Sequence, residues 1–357
     1  MKDADVISNI KSIYDMYEDK LSKELYLDRL NWLISGEYRY VEDIVKKSHP
    51  NIPTWNRKKE EEFVELLHKD KKTVFYGVGT FVERLVPYLK DRNIDIMFCD
   101  SDEKKQKEGV FGHRVMSPIE LFQMKDSKNI VICSTKYYDE IKKYLEDNGI
   151  MQNEIVDIRA YFKCGTGDDY FYEDFLKYET EEIFVDAGCY NLATTKDFKK
   201  KCKGLVKSYA FEPDADNYQQ CIKVMETEKD CLPNVQLYPY GTWSCETTLC
   251  FDASSDGCSH IGEGNNEIKT IAIDDVVDKR DKITFIKMDV EGAELESLKG
   301  AKEVIKRDIP KLAICIYHKP EDVITLPLYI KELVPQYKFY LRSYSNADNE
   351  MVLYAVL

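Results

Sequence analysis

Three groups of acidic residues and one histidine have the type and spacing to do chemistry in this chain. In Phe184-Val-Asp186-Ala-Gly188-Cys-Tyr-Asn191 a strand-like run ends in an acid, and a glycine then lets the backbone turn tightly against a ligand before a helical segment begins. In Tyr209-Ala-Phe211-Glu212-Pro213 the next strand-like run also ends in an acid. A carboxylate there can accept hydrogen bonds from both ribose hydroxyls of an adenosine moiety. Asp186 and Glu212 are 26 residues apart, close to the ~20 expected between a glycine loop and its ribose acid. Alone, either motif also fits a plain turn or a helix cap; on adjacent strands of one series they read together as a cofactor site. The third group, Phe285-Ile-Lys287-Met-Asp289-Val-Glu291-Gly292-Ala-Glu294, puts three carboxylates at the carboxyl end of a further strand, opening a helix. Clustered acids raise one another's pKa or share a cation. The helix macrodipole accounts for Glu291 and Glu294, but less well for Asp289, which still belongs to the strand. His318, in Cys315-Ile-Tyr-His318-Lys, ends the following strand on the same edge.

These residues need a parallel sheet to bring them together, and the chain supplies two βα series. Residues 1–70 read as helical, with Ile7, Ile10, Tyr14, Tyr17, Leu21 and Leu25 in one apolar stripe. A break at His49-Pro50-Asn51-Ile52-Pro53 precedes a short helix ending near Leu67. These helices are expected to cap the domain that follows, the alternative being a homodimer paired through them. From Lys72, strands at 73–76, 94–99, 129–133 and near 155 alternate with helices at 118–122 and 136–148, which implies a small Rossmann-like unit over 71–160. A second series follows Gly165-Thr-Gly-Asp-Asp169. Its strands are expected at 183–186, 206–211, 235–238, 283–288 and 312–317, and its helices near 192–203, 214–227 and 294–306. Runs at 247–251 and 268–273 interrupt it as an insertion. The last two strands, 337–341 and 352–356, are separated only by turn formers and should be antiparallel. Five parallel strands closed by an antiparallel hairpin is a methyltransferase-type order, whereas dehydrogenase sheets continue in parallel.

Two weaker candidates lie off this edge. Cys245, Cys250, Cys258 and His260 have spacings that match no usual zinc pattern, so a strand pair with reduced cysteines is expected. The Ser254-Ser-Asp-Gly257 turn, with Ser259 and His260, more plausibly lines an acceptor site. Gly77-Val-Gly79 with Asp100 lacks the third glycine of a dinucleotide fingerprint, since Val82 stands there. A nucleotide or nucleotide-sugar ligand for the 71–160 unit stays open beside a structural or acceptor-positioning role.

Composition bounds the remaining readings. A length of 357 residues allows about two or three domains. A hydrophobic fraction of 43% with 32% charged residues excludes a disordered chain. The net charge of −14 is spread along the sequence and repels phosphate backbones and anionic lipid, so no nucleic-acid partner is expected. The longest apolar stretch, Leu312–Tyr317, is far short of the ~20 residues of a membrane span. Met1-Lys-Asp-Ala-Asp-Val has acids where a signal peptide has bases. Eleven scattered cysteines without a CxxC fit a reducing compartment; a cytoplasmic protein is the expectation.

Asp186-Ala-Gly188, Phe211-Glu212-Pro213 and above all Ile286-Lys287-Met288-Asp289-Val290-Glu291-Gly292-Ala293-Glu294 resemble the FkbM-type family of S-adenosylmethionine-dependent methyltransferases, over about residues 180–357. The resemblance implies methyl transfer to a hydroxyl oxygen, usually on a sugar or a sugar-bearing natural product. It makes Asp186 and Gly188, with Asn191, the cofactor loop, Glu212 the ribose acid, and Asp289 an active-site carboxylate near the transferring methyl. One departure stands out: the family's second loop glycine is replaced by Tyr190-Asn191-Leu192, so the methionine part is expected to be held differently. The cofactor is a sulfonium cation, which suits an acid-lined site. A hydroxyl needs a base, and a pKa near neutrality serves best, which makes His318 the first candidate. A divalent metal on Asp289 and neighbouring acids is the less favoured alternative. The expected architecture is thus α/β: a helical region (1–70), an accessory Rossmann-like domain (71–160) and a methyltransferase domain (165–357). Two other function classes stay open. One is an oxidoreductase using Gly77-Val-Gly79 for NAD; the other is a non-catalytic binding or assembly protein that keeps the fold.

Overall fold

The structure is a computed structural model. It describes residues 3–48, 57–67, 72–79, 82, 96–110, 112–124, 128–134, 137–158, 170–202, 204–228, 232, 234–252, 260–261, 266–344 and 350–357. They divide into two compact units, 1–48 with 165–357, and 49–164.

Helices α1 (Asp3–Met16), α2 (Lys20–Ser35) and α3 (Arg39–Ser48) open the chain. In the second unit, α4 (Arg57–Leu67) precedes β1 (Lys72–Tyr76), β2 (Ile96–Cys99), β3 (Val115–Met116), β4 (Lys128–Ile132) and β5 (Ile155–Asp157). The strands pair in the order β3-β2-β1-β4-β5, all parallel. Val74, Tyr76, Ile130 and Ile132 bury themselves against Leu121, Tyr138 and Leu145 of the covering helices. That burial is why these short apolar runs become central strands. The Asp100 carboxylate, a candidate ribose acceptor by its spacing, holds its own loop instead. It accepts from the Val78 N–H at 2.7 Å, the Asp102 N–H at 3.0 Å and Lys105 Nζ at 3.2 Å.

The first unit is built on a seven-stranded sheet. Its strands are β6 (Glu182–Ala187), β7 (Leu205–Phe211), β8 (Val235–Tyr238), β13 (Phe285–Met288), β14 (Lys311–Cys315), β15 (Lys338–Ser343) and β16 (Met351–Val356). Between β8 and β13 the insertion forms a separate small sheet from β9 (Gly241–Thr242), β10 (Thr247–Asp252), β11 (His260–Ile261) and β12 (Asn266–Ile271). The large sheet runs β15-β16-β14-β13-β6-β7-β8. β16 is antiparallel to both neighbours, and every other pair is parallel. The expected closing hairpin is therefore present.

Two apolar layers cover this sheet. On one side Tyr170, Phe171, Leu176 and Phe198 pack on Phe184 and Phe285, with the Phe184 and Phe198 rings stacked at 4.2 Å. The other side collects Ile13, Tyr17, Leu25, Tyr26, Leu30 and Ile44 of the first three helices in one core with Val185, Ile286, Leu312 and Leu353. Those helices, expected to cap the unit that follows them in sequence, instead seal the seven-stranded sheet. The reason is local. Asp19 caps α2 by accepting from the Ser22 N–H at 2.7 Å and also pairs with Arg342 of β15 at 2.7 Å. Ser22 Oγ accepts from the Leu341 N–H at 2.8 Å, and the Glu18 N–H donates to the Phe339 carbonyl at 3.0 Å. The boundary drawn at residue 70 shifts accordingly, because α4 belongs to the other unit.

Candidate functional site

The carboxyl ends of β6, β7, β13 and β14 bring Asp186, Glu212, Asp289 and His318 to one edge of the sheet, as the spacing required. Asp186 is fully buried. Its carboxylate takes the Thr195 hydroxyl at 2.7 Å and faces Lys287 Nζ at 3.3 Å. Lys287, itself buried, donates to the Gly188 carbonyl at 2.7 Å. Burial pushes the Asp186 carboxyl up, against the opposing pull of Lys287. Lys287 stays above the ordinary lysine value because Asp186 and Asp289 outweigh the cost of its own burial. Asp186, expected in the cofactor loop, therefore holds that loop from behind.

Gly188 has φ +76°, and a Cβ there would lie 1.9 Å from the Asp289 carbonyl oxygen. Only glycine permits this approach, which joins the loop after β6 to the end of β13. The Gly188 and Cys189 N–H groups both donate to the Phe211 carbonyl, at 3.1 and 3.0 Å. Where a second glycine was expected, Tyr190 and Leu192 take left-handed conformations, with φ 53° and 62°. The loop thus keeps a glycine-like path with ordinary residues, at a cost of ~1–2 kcal/mol each. Asn191 Oδ1 accepts from the Ala193 N–H at 3.0 Å, tying the turn into the helix Ala193–Lys201. Glu212 accepts from the Tyr190 N–H at 2.9 Å and the Asp214 N–H at 3.0 Å. Burial pushes it up to about 7. The Asn217 side chain adds a further hydrogen bond; a carboxylate has about four lone-pair sites, so some acceptor capacity is left for a ligand.

The second half of the site surrounds His318, whose side chain is 4% exposed. Its Nε2 lies 3.4 Å from both Asp289 Oδ1 and Glu291 Oε2, and its Nδ1 lies 2.8 Å from Glu294 Oε1. Glu294, fully buried, also accepts from the Val290 N–H at 3.0 Å. The turn between Asp289 and Glu294 is left-handed at two successive residues, Glu291 at φ 54° and Gly292 at φ 90°. Strain of this kind in a non-glycine residue persists where the surroundings impose it. Beyond Asp289, the Tyr317 hydroxyl donates to it at 3.2 Å, and Glu350 accepts from the Tyr170 hydroxyl at 2.6 Å. Burial opposes a charge on His318, but the Glu294 contact and the Asp289 and Glu291 carboxylates outweigh it and hold the imidazole at about 9. Glu291 is pushed up to about 7, by burial first and then by Asp289 and Glu294, against the pull of His318. At neutral pH the ligand-free imidazole is thus a cation among carboxylates.

Residues 184–342 match the model of the methyltransferase FkbM domain. This segment is an FkbM methyltransferase domain. Residues 69–156 match a second model, C2185-like, N-terminal. Among solved structures the chain is similar to methyltransferase FkbM from Methylobacillus flagellatus, at 19% identity and TM-score 0.50, over 92% of this chain and 100% of that one. At that identity the likeness speaks for the fold. A putative methyltransferase from Streptococcus mutans, solved with S-adenosylhomocysteine, is similar at 19% identity and TM-score 0.34, over 53% of this chain and 95% of that one. No curated protein matches the chain. The FkbM domain makes the unit an S-adenosylmethionine-dependent methyltransferase.

Lys287 and Thr195 were missed as site residues, although a lysine inside the apolar run Phe285-Ile-Lys-Met is a signal, because a buried charge needs a partner. Of the insertion's zinc candidates, Cys245 is an exposed free thiol. Cys258, the Ser254–Gly257 turn and Ser259, together with the side chains of Cys250 and His260, lie outside the described residues, as does the 165–169 segment. Among the described residues no helix is long and apolar enough to cross a membrane.

Proposed function

We propose that this methyltransferase transfers its methyl group to a hydroxyl of a sugar or sugar-bearing acceptor. The observation that carries the reading is the cluster of Asp289, Glu291 and Glu294 around His318, one strand away from the Gly188 loop. Methylating a hydroxyl requires its proton to leave, and a group that takes up that proton or makes it more acidic contributes ~10²–10⁴-fold. Asp289 and His318 are assigned that task. Asp289 also accepts from Tyr317, which fixes its orientation.

The residues at the other half fit the cofactor. Gly188 and Asn191 shape the loop, Glu212 keeps free acceptor capacity for ribose hydroxyls, and Asp186 supports the loop through Lys287. S-adenosylmethionine supplies the electrophilic methyl and a sulfonium charge that suits this acidic edge. What remains for the chain is to place the acceptor oxygen in line and keep it there. His318 holds a proton in the free protein, so it can serve the acceptor only once another positive charge beside it disfavours the imidazolium.

Transfer of label from S-adenosylmethionine to a panel of sugars and nucleotide sugars tests the acceptor class. His318→Ala should lower turnover by at least ~10²-fold while S-adenosylhomocysteine affinity stays nearly intact. Label transferred only to amines or carbon acids, or a fully active His318→Ala variant, would remove the hydroxyl reading.

A further inference from the structure

We infer that Asp289, Glu291 and His318 form a binding site for a divalent first-row transition cation, with Glu294 as the residue that orients the imidazole. The three side chains each offer one ligand atom, and all three atoms lie within 4.8 Å of one another. The finer geometry points the same way. Metal bonds to imidazole nitrogen and carboxylate oxygen are ~2.0–2.2 Å long, so two ligands at ordinary tetrahedral or octahedral angles on one ion stand ~3.0–3.4 Å apart. His318 Nε2 stands 3.4 Å from Asp289 Oδ1 and 3.4 Å from Glu291 Oε2.

An independent feature comes from hydrogen bonding. The His318 side chain is 4% exposed, yet neither ring nitrogen has a hydrogen-bond partner, and neither has Glu291 Oε2; Nε2 and Glu291 Oε2 face one another. A buried polar atom without a partner is costly, and here two such atoms converge on one point. On the far side of the ring, Glu294 Oε1 approaches Nδ1 at 2.8 Å. A carboxylate behind a metal-binding histidine fixes the ring and raises its basicity as a ligand. The left-handed backbone at Glu291 and Gly292 returns the Glu291 side chain to this point. Two carboxylates with one imidazole suit an ion such as Mn²⁺, because an imidazole ligand is ill-matched to Mg²⁺ or Ca²⁺.

The site stands on this geometry and does not depend on methyl transfer. Its consequence for catalysis does rest on the proposed function: a cation there would meet the acceptor oxygen, and Asp289 and His318 would act by lowering the hydroxyl pKa through it.

Mn²⁺ titration of the full chain after chelator dialysis, followed by the electron paramagnetic signal of free Mn²⁺, provides the test. One saturable Mn²⁺ per chain is expected, with affinity at least tenfold weaker in His318→Ala and in Asp289→Asn. Glu294→Gln should weaken it ~10–100-fold. S-adenosylhomocysteine calorimetry on the same samples reports separately whether each variant is folded and whether the cofactor reading holds. Glu291→Gln, at the least buried of the three ligands, is the variant to use if the other substitutions fail to fold, and it too should bind Mn²⁺ at least tenfold more weakly. Absence of saturable binding in a chain that binds S-adenosylhomocysteine would overturn the metal site alone. So would equal Mn²⁺ affinity in wild type and folded His318→Ala.

Discussion

Glu212 gives two effects of opposite sign from one substitution. Its carboxyl is raised from 4.5 to about 7, by burial first, with the Tyr190 and Asp214 N–H bonds pulling the other way. The folded chain then binds more protons than the unfolded one between about pH 4.5 and 7. Its contribution to stability therefore falls as pH rises through that window, and the loss is complete above pH about 7. A shift of this size corresponds to ~3 kcal/mol. Replacement by Gln removes the buried charge but sets one amide N–H₂ against a backbone donor, which costs ~1–2 kcal/mol. At pH 8 Glu212→Gln should thus unfold at a higher denaturant concentration than wild type, by ~1–2 kcal/mol; at pH 5 that advantage should vanish. Cofactor binding should move the other way. An ionised acceptor for the ribose hydroxyls contributes ~1.5–3 kcal/mol, so S-adenosylhomocysteine should bind ~10–150-fold more weakly to Glu212→Gln. Wild-type affinity should also fall as pH drops below 7. Calorimetric titration from pH 6 to 8.5, beside urea unfolding at pH 5 and 8, measures both. Affinity independent of pH and unchanged in the variant would refute the ribose assignment. A variant less stable than wild type at pH 8 would refute the buried-charge argument.

Other substitutions test the scaffold around the site. Gly188→Ala puts a Cβ 1.9 Å from the Asp289 carbonyl and should abolish S-adenosylhomocysteine binding and lower stability by more than ~3 kcal/mol, read by urea unfolding. Tyr190→Gly relieves a left-handed tyrosine that is half exposed. It should raise stability by up to ~1 kcal/mol once the entropy of glycine is set against the strain; a lower melting temperature would contradict this. Lys287→Met strands the buried Asp186 carboxylate and should cost ~3–5 kcal/mol in unfolding free energy, with much of it recovered by a second substitution, Asp186→Asn.

Most strands of the two larger sheets were legible as short apolar runs, and Ile183–Asp186 or Val235–Tyr238 could be placed almost to the residue; the two-residue strand Val115–Met116 was too short to read. What the sequence hid has physical causes. The helix Asp322–Leu333 between β14 and β15 carries Pro327 in its interior, and proline there reads as a break. The fold tolerates it because Val323, Leu326, Ile330 and Leu333 are buried in the core. The single helix expected over 294–306 is two, Glu294–Lys299 and Lys302–Asp308, since periodicity runs across a one-turn interruption. The partner of α1–α3 was not legible at all, because an apolar stripe records that a helix is buried and says nothing of what it is buried against. Here the answer lay more than three hundred residues away, in Phe339, Leu341 and Arg342.

For the site, strand ends could be read from the sequence, but distances across strands could not. Asp186, Glu212, Asp289 and His318 were each found as acid or base at a strand end, and a sheet edge gathers such residues whatever their purpose. The structure then separates them by what fills their coordination. Asp186 accepts from Thr195 through one oxygen and faces Lys287 with the other, so it supports the loop. Glu212 is half satisfied by two backbone N–H groups and keeps capacity for a ligand. His318 is set among three carboxylates with its outward nitrogen unpartnered. Asp186 and Glu212 thus stand on the neighbouring strands β6 and β7, and the open His318 beyond β13 at the end of β14. That placement is the one expected if the cofactor lies over β6 and β7 and the reacting oxygen over β14.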